Sequence, residues 1–551
     1  MRAGLLQKSN ILELKLSWRV GNREGENNDE SVLGGLQPHP NLKTLQISGF
    51  KGKSFPSWFS KMSGLNNLTE IRIERCKECE QVPTLGHLPH LKNLYLVRLE
   101  NVKSIGSSFY GSRSSNTRIA VFPALERLEL LNMSKLTDWL EAELMPNIEL
   151  MPNIATENRR VSQELVVAAF PCLEYLKIKD CRQLTSAPSH FPCLKELHIF
   201  QVDSGLPLAS ICGIKLNSLE RLTIDGVEGL KCLPDWLFRN NQNLSKLKIC
   251  DCPNLVHLVP CLEGGRTALR ELWVSYCSKL RELPDDLHAL SALEILSISS
   301  CPNLKSIPYP HETHNDDDGE QLLSGLSCLR RLSITYCRGL TDFAIENMIE
   351  SCAPSLEKLE LFELTSLKMN TGMLVGSLQE MPRLSRWKIG DVEMKMTSKQ
   401  WTVYGLTHDT YSMTVVGAIM KASSTKSLCR LELHGTKHSG GLPDQLQHHT
   451  GVFELRLWGF GEIEELPECL FGNNNTFSVL YIQSCKKLHR LASKEAMLRL
   501  TNLTHLFIDN CRLLNLNTKR GGDSEWHKIS HIPRVTVDGR RIRTNARGKK
   551  S

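Results

Sequence analysis

Residues 244–255 read LSKLKICDCPNL, and this stretch decides the fold. Leu247 and Ile249 alternate with lysines, which is the period-two pattern of a β-strand with one buried face. The pattern L-x-x-L-x-L-x-x-C, with other apolar residues sometimes replacing leucine, recurs about eighteen times between Leu12 and Cys511. Clear copies begin at Leu68, Leu173, Leu244, Leu269, Leu293, Leu329 and Leu503. Such repetition is the signature of a leucine-rich repeat.

The spacing of the copies predicts how they stack. The starts at Leu194, Leu219, Leu244, Leu269 and Leu293 are 25, 25, 25 and 24 residues apart. Those at Leu428, Val452, Phe477 and Leu503 are 24, 25 and 26 apart. One unit cannot bury its apolar face alone, so neighbouring units must share a continuous core. We therefore predict an α/β fold, a curved leucine-rich-repeat solenoid with a parallel concave sheet and a helical or irregular convex side.

The ninth position of the repeat tests this alignment. In the clear copies it is Cys76, Cys181, Cys252, Cys277, Cys301, Cys337 and Cys511. Elsewhere it is mostly apolar, at Phe50, Leu99, Met133, Val202, Val227, Leu364, Val392 and Phe460, with Thr436 as the exception. A buried free cysteine behaves as a small hydrophobic residue, so we expect core thiols rather than disulfides. We also expect no metal, because a metal site needs converging ligands and the C-x-x-C at Cys76 and Cys79 has no second pair at a suitable spacing.

Composition places the chain among soluble proteins. It has 551 residues, of which 41% are apolar and 23% charged. A solenoid can reach this length because its core grows with every added repeat. No run of eighteen apolar residues predicts a membrane span, and the first residues do not resemble a secretory signal. We therefore expect the protein in the cytoplasm, or in the nucleus if the basic tail acts as a localisation signal.

Interruptions of the repeat predict the domain organisation. We assign residues 1–390 to a solenoid with inserted loops at 101–124, 132–170 and 309–322, residues 391–427 to a degenerate repeat or break, 428–518 to further repeats and 519–551 to a basic tail. The tail holds ten Lys and Arg against three Asp and Glu, which equals the whole net charge of +7. The expectation for the run GRRIRTNARGKKS after Asp538 is a solvated terminus, and for the insertions surface loops.

No arrangement of residues predicts catalysis or a cofactor. The tripeptide Gly52-Lys53-Ser54 would need a glycine at position 47 to form a phosphate-binding loop, and Ile47 stands there. Zinc-protease, serine-hydrolase and calcium-loop motifs are also missing from the sequence. We therefore predict a protein that is not an enzyme and that binds no nucleotide through this sequence.

The outward positions of the strands predict a binding surface. In each unit the third, fifth and seventh residues should point away from the core, on the concave side. The candidates read from these positions are Lys177, Lys179, His198, Phe200, Arg221, Lys246, Lys248, Trp273, Phe362, Trp458, Tyr481 and Phe507. Aromatic residues beside Arg and Lys are typical of surfaces that bind proteins, so we expect a protein partner and no nucleic acid.

Four segments resemble one family. They are ESVLGGLQPHPNLKTLQISGFKGKSFPSW (30–58), CEQVPTLGHLPHLKNLYLVRLENVKSIGSSFYG (79–111), FPALERLELLNMSKLTDW (122–139) and EWHKISHIPRVTVDG (525–539). They are similar to the leucine-rich-repeat region of plant coiled-coil, nucleotide-binding (NB-ARC) disease-resistance proteins, RGA-like intracellular immune receptors. The family's signalling and nucleotide-binding domains are not found in this sequence. The resemblance implies a sensor for a pathogen effector or a modified host protein, with the receptor's own nucleotide-binding module as a further partner.

Two other interpretations stay open at this point. The unit LRRLSITYCRGLTDFAIENMIESCAPSLEKLEL (329–361) resembles the repeats of F-box proteins, the substrate-recognition subunits of ubiquitin ligases. An F-box would decide for this class, and residues 1–40 do not supply one. A receptor ectodomain would fit the five N-x-S/T sites, but that class usually carries Asn at the ninth repeat position.

Overall fold

A computed structural model describes most of the chain, in two compact units. The described residues are 4–18, 29–60, 64–111, 121–142, 169–234, 236–258, 268–284, 287, 290–307, 326–341, 345, 348–349, 351–364, 381–389, 391–397, 399–406, 428–442, 452–471, 477–518 and 524–542. The first unit comprises Met1–Leu293 and Ser300–Asn303, and the second comprises Glu294–Ser299 and Leu304–Ser551. The predicted loop at 309–322 lies outside the described residues.

The first unit contains a parallel sheet built from one strand per repeat. Its described strands are β1 (Glu13–Ser17), β2 (Thr44–Ser48), β3 (Glu70–Glu74), β4 (Asn93–Val97), β5 (Ser104–Ile105), β6 (Arg127–Leu131), β7 (Asp138–Trp139), β8 (Tyr175–Lys179), β9 (Glu196–Phe200), β10 (Arg221–Asp225), β11 (Lys246–Cys250) and β12 (Glu271–Ser275). All except β5 and β7 pair in chain order, and β5 pairs with β7 alone. The predicted parallel sheet is confirmed.

Short helices connect some of these strands. They are a 3-10 turn at Leu5–Gln7, α1 (Asp29–Gly34), α2 (Ser57–Ser60), α3 (Ser107–Tyr110), α4 (Leu206–Cys212) and α5 (Trp236–Asn240). Register keeps equivalent repeat positions side by side, so that Leu197, Leu222 and Leu247 are paired neighbours. All three side chains are completely buried, as the alternating pattern predicts. The core therefore lies behind the sheet, and the third, fifth and seventh repeat positions face outward.

The second unit combines parallel strands with an antiparallel insertion. Its described elements are β13 (Ile295–Ser299), β14 (Arg331–Thr335), β15 (Lys358–Phe362), β16 (Arg386–Ile389), β17 (Val392–Met396), β18 (Gln400–Leu406), β19 (Arg430–Gly435), β20 (Glu454–Trp458), a 3-10 turn at Glu468–Phe471, β21 (Val479–Gln483), α6 (Lys494–Leu498), β22 (His505–Asp509), α7 (Trp526–Ile529), β23 (Arg534–Val537) and β24 (Arg540–Ile542). β13–β16 and β18–β23 are parallel runs. β17 is antiparallel to both β16 and β18, and β24 is antiparallel to β23.

The segment 391–427 contains the antiparallel insertion of the second unit. It was assigned to a degenerate repeat or a break, and β17 and β18 lie within it and join the two parallel runs of the second unit. Val392, which is also the ninth residue of the preceding repeat, and Met394 are buried and alternate with polar neighbours. Near the end of β18, Gly405 has a positive φ of 73° and its backbone lies against the Asp391 carbonyl before β17, so glycine is needed where a β-carbon would clash. Residues 407–427 lie outside the described part.

Two predicted surface loops contribute to the core. Within 101–124 and 132–170, Tyr110 and Trp139 are buried, and the indole Nε1 of Trp139 donates to Tyr110 Oη over 3.1 Å. Tyr110 Oη in turn donates to the Leu140 carbonyl over 2.7 Å. Phe122 and Phe170 stack beside them with ring centroids 5.3 Å apart. These insertions are therefore partly structural, because their aromatic residues fill space that the short repeat residues leave open.

The described part of the predicted basic tail is folded. α7, β23 and β24 occupy most of 524–542, and β23 extends the sheet beyond β22. Ile529, Ile532 and Val535 are fully buried, which gives this segment an apolar face that a solvated terminus lacks. The expectation of a solvated terminus concerned the run after Asp538, and within the described residues that run contributes β24.

A left-handed residue ends almost every repeat strand of the first unit. The residue after each strand from β2 to β12, excluding β5 and β7, has φ between 48° and 73°, as in Asp251 after β11. Its N–H donates to the last carbonyl of the next strand, as from Asp251 to Ser275 over 3.0 Å. The turn sends the ninth repeat residue into the core. There Cys252 Sγ donates to the Cys250 carbonyl over 3.3 Å, and Cys277 Sγ does the same to Ser275 over 3.4 Å.

Candidate functional site

The twelve candidate residues lie in three groups on the outward faces of the strands. Lys177, Lys179, His198, Phe200, Arg221, Lys246, Lys248 and Trp273 lie on β8–β12 of the first unit, and we call this group the β8–β12 surface. Phe362 lies on β15 of the second unit. Trp458, Tyr481 and Phe507 lie on β20, β21 and β22, also in the second unit.

Parallel register brings the β8–β12 surface together in rows. Lys177, His198, Thr223, Lys248 and Trp273 follow one another across five strands. Adjacent strands are separated by about 4.8 Å, so neighbouring side chains in a row are in contact range. These residues therefore form one continuous patch, as their shared repeat position predicted.

Acidic side chains interrupt the predicted basic stretch. Arg221 lies 3.2 Å from the carboxylate of Glu196, and Lys246 lies 2.7 Å from that of Glu271. Both glutamates occupy the third repeat position, beside the basic residue of the neighbouring strand. The outward positions of β8–β11 carry five basic and two acidic residues. The patch is thus basic in balance, but part of its charge is internally paired.

Three lysines of the β8–β12 surface can offer their positive charge to a binding partner. Within the described residues, Lys177, Lys179 and Lys248 make no ion pair. Burial and the neighbouring Asp251 raise the pKa of Asp225 above its usual range, while Lys248 and Lys179 act in the opposite direction. These lysines therefore surround a partly buried carboxyl group rather than forming a close pair with it, and they can attract an acidic partner.

Aromatic rings pack between the charges. Lys177 Nζ lies 5.6 Å from the ring centroid of Phe200, and Lys246 Nζ lies 6.0 Å from that of Trp273. The ring of His198 lies between Tyr175 and Phe200, with centroid distances of 5.1 and 6.0 Å. Burial lowers the pKa of His198 below its usual value, so this ring is neutral near pH 7.

Further residues that were not among the twelve candidates extend the β8–β12 surface. Arg127 lies over the ring of Tyr175, with its guanidinium carbon 3.7 Å from the centroid, and also pairs with Glu129 at 3.1 Å. Arg72 lies 5.3 Å from the ring of Tyr95 in the same way. All of these residues occupy third or fifth repeat positions, so the rule that found Lys177 could have found them too.

The aromatic candidates of the second unit are also paired with cations. Phe362 has Lys388 Nζ 4.3 Å from its centroid. Tyr481 and Phe507 stack at 4.3 Å and 5°, and the guanidinium carbon of Arg456 lies 4.4 Å from the ring of Tyr481.

Trp458 belongs to a separate row of rings. It stacks on His434 at 5.5 Å, and His434 stacks on Tyr404 at 4.5 Å. Tyr404 lies on β18, which the repeat pattern did not predict. The faces of these rings are in contact with one another, so mainly their edges are presented to a partner.

The motifs examined for chemistry have structural roles. The backbone N–H groups of Lys53 and Ser54 donate to the Glu30 carboxylate over 2.8 and 3.1 Å, so a carboxylate lies where a phosphate-binding loop would hold phosphate. Cys79 is buried and its Sγ donates to the Gly52 carbonyl over 3.3 Å. Burial raises the pKa of the Cys181 thiol to about 12, which disfavours the reactive thiolate. In the described part of the chain, three or more potential metal ligands do not converge anywhere.

Among the same residues, every helix is too short or too polar to cross a membrane.

Comparison with known proteins shows which proteins this chain resembles. Residues 1–99 match the family of R13L1/DRL21 leucine-rich repeats. The putative disease resistance RPP13-like protein 1 of Arabidopsis thaliana is 28% identical over 326 residues, which are 55% of this chain and 28% of that protein. The putative disease resistance proteins RGA1 and RGA4 of Solanum bulbocastanum are 31% and 32% identical, over 46% and 44% of this chain and 22% of each relative.

The chain thus spans about a quarter of the length of these relatives. A leucine-rich-repeat protein of Leptospira interrogans has a solved structure that covers 97% of this chain and 98% of its own, at 15% identity and a TM-score of 0.37. That likeness is too weak to support a conclusion about function. About half of the chain is thus similar to disease resistance proteins of plants, and its first 99 residues match the R13L1/DRL21 leucine-rich repeats.

Proposed function

We propose that this chain is the leucine-rich-repeat sensor of a plant intracellular immune receptor, which recognises a pathogen effector or a modified host protein. Its similarity to RPP13-like and RGA disease resistance proteins supports this role and favours it over the F-box alternative. The receptor's own nucleotide-binding module is a second partner for the same surface. Binding rather than catalysis fits an architecture whose polar residues are spread over a sheet.

The β8–β12 surface carries the proposal. Its outward positions on β8–β11 hold five basic and two acidic residues, and Lys177, Lys179 and Lys248 remain outside ion pairs among the described residues. Aromatic rings beside them supply contact area at a low cost in side-chain entropy. The partner should therefore present acidic side chains around an apolar centre. Long-range attraction of opposite charges should act mainly on the rate of association.

The test replaces two of the lysines that lie outside ion pairs among the described residues. A tagged Lys177→Gln/Lys248→Gln variant and the wild type are expressed in healthy and infected leaves, and co-purified proteins are identified by mass spectrometry. A protein recovered by the wild type is then purified, and its association rate is measured at low and high salt. We expect the variant to associate about tenfold more slowly at low salt, with little change in dissociation.

The control replaces two exposed lysines that lie outside the β8–β12 surface. Lys43 and Lys305 are exposed and lie at positions that do not face outward on the sheet. A Lys43→Gln/Lys305→Gln variant should bind like the wild type. Equal association rates for all three proteins, with equal melting temperatures, would place the binding surface elsewhere and contradict the proposal.

A further inference from the structure

A second, chemically different groove lies in the first unit, at the carboxyl-terminal ends of the strands. It consists of two adjoining cavities of about 610 and 750 Å³. Arg182, Gln183 and Asp203 line both cavities, which makes the groove continuous. The β8–β12 surface lies on the outward face of the sheet, and none of its eight residues lines either cavity.

One half of the groove is charged. Arg75, Arg98 and Arg182 line it, and within the described residues none of their guanidinium groups makes a hydrogen bond or an ion pair. Two of its acidic residues are already engaged. Glu100 pairs with Lys77 at 3.2 Å, and Asp180 accepts a hydrogen bond from Asn132 over 2.9 Å.

The hydrogen bond from Asn132 leaves the charge of Asp180 in place, so three guanidinium groups share this half of the groove with the carboxylates of Asp180 and Asp203. The charged half is basic in balance, and its unpaired guanidinium groups are suited to carboxylates of a ligand.

The repeat geometry fixes the position of these arginines. Arg75 and Arg98 are the left-handed residues that follow β3 and β4, with φ of 58° and 55°. Their N–H groups donate to the carbonyls of Val97 and Leu131, both over 2.8 Å. Because β3 and β4 are neighbours, the two side chains leave the backbone about 4.8 Å apart. The main chain thus holds two guanidinium groups side by side on one edge of the sheet.

The other half of the groove is apolar. It is lined by Leu206, Ala209, Leu230 and Pro234, and Leu206 leaves 58% of its surface exposed. Gly229 allows the chain to approach closely here, since a β-carbon would lie 2.6 Å from the Asp203 carbonyl oxygen. A large exposed leucine in a concave site indicates a place where an apolar group of a ligand can be buried.

We propose that this groove binds an extended peptide of a partner protein that carries acidic side chains at one end and an apolar side chain at the other. Both cavities are open grooves, a shape that suits an extended chain. From β3 to β9 the groove crosses four strand spacings, which is about 19 Å. An extended peptide covers that distance with about six residues. Carboxylates engage Arg75, Arg98 and Arg182, and the apolar side chain packs against Leu206.

The test uses short fluorescent peptides with the complete chain. The probes are fluorescein-labelled Glu-Glu-Ala-Ala-Leu-Leu and the reversed Leu-Leu-Ala-Ala-Glu-Glu, measured by fluorescence anisotropy. Gln-Gln-Ala-Ala-Leu-Leu and Glu-Glu-Ala-Ala-Ser-Ser remove one feature each. We expect one acidic–apolar probe to bind, and both reduced probes to bind about tenfold more weakly.

Substitutions of residues that line the groove test whether the probe binds there. Arg98→Gln/Arg182→Gln and Leu206→Ser should each weaken the bound probe about tenfold. Arg281→Gln removes an exposed guanidinium elsewhere in the first unit and should change nothing. Circular dichroism melting verifies that all variants remain folded. The proposal is overturned if no probe binds, if the groove variants bind like Arg281→Gln, or if inorganic phosphate at equal concentration displaces the probe completely, which would indicate a site for simple anions.

Discussion

A nearly buried ion pair attaches α7 to the neighbouring repeat. Its contacts allow the loss of stability on removing one partner to be predicted. Glu525 and Lys528 lie 2.7 Å apart, with side chains only 12% and 14% exposed. The Glu525 carboxylate accepts the N–H of Leu491 over 2.8 Å, and Lys528 Nζ donates to the Leu491 carbonyl over 3.0 Å. Both polar groups of one backbone residue are therefore satisfied by this pair.

The substitution Lys528→Met keeps the length of the side chain and removes the charge. It leaves the Glu525 carboxylate without its cation and the Leu491 carbonyl without its donor. Breaking a buried pair on one side costs about 3–5 kcal/mol, and we expect about 3 kcal/mol because Glu525 keeps the N–H of Leu491. A unit of this size should then melt about 6–12 °C lower.

The assay is thermal melting combined with hydrogen exchange of β22 and β23, since a stack of repeats opens first where it is weakened. Lys494→Met, at an exposed lysine of α6, serves as the control and should melt like the wild type. The double variant Glu525→Gln/Lys528→Met leaves no unpaired charge and should recover part of the loss. A melting temperature of Lys528→Met equal to that of the control, with unchanged exchange in β23, would refute the reasoning.

Three further predictions concern the core of the first unit. Leu247→Asp places an unpaired charge at a fully buried position, so it should unfold the neighbouring repeats and abolish their cooperative melting. Tyr110→Phe leaves the Trp139 indole N–H without its acceptor and should lower the free energy of unfolding by about 1–3 kcal/mol in urea titrations. Because burial raises the pKa of the Cys181 and Cys212 thiols to about 12, a thiol reagent at pH 8 should modify exposed Cys172 and Cys232 first, which peptide mapping can check.

The repeat pattern predicts the parallel strands well because each one depends on local alternation. Leu197, Leu222 and Leu247 show this directly, since their spacing in the sequence is their register in the sheet. The repeat pattern did not predict β17 or the antiparallel pairing of β17 with β18, because Met394 has no leucines at the flanking repeat positions. The strand β24 was not predicted, because the run after Asp538 is highly charged and shows no apolar periodicity.

The sequence predicted the position of the candidate surface better than it predicted which of its charges are paired. The rule for outward positions placed Lys177 and Trp273 on one patch, which the register of β8–β12 bears out as geometry. The pairing of Lys246 with Glu271 depends on contacts between strands, which become visible only when outward positions of neighbouring repeats are compared. The groove lined by Arg75, Arg98 and Arg182 gave no signal, because its residues come from turns and not from strands.

The left-handed residue after each strand has an evolutionary consequence. Gly226, Asp251 and Tyr276 differ in chemistry, but they share the same backbone turn. The N–H groups of Gly226 and Asp251 donate to the same kind of acceptor in the next repeat. Every junction between such repeats therefore has interchangeable ends. Unequal recombination that adds or removes one complete repeat would join compatible ends again, and it would move a new set of outward side chains into the row. Diversity of recognition can then arise by exchanging whole turns, without a separate solution for each new junction.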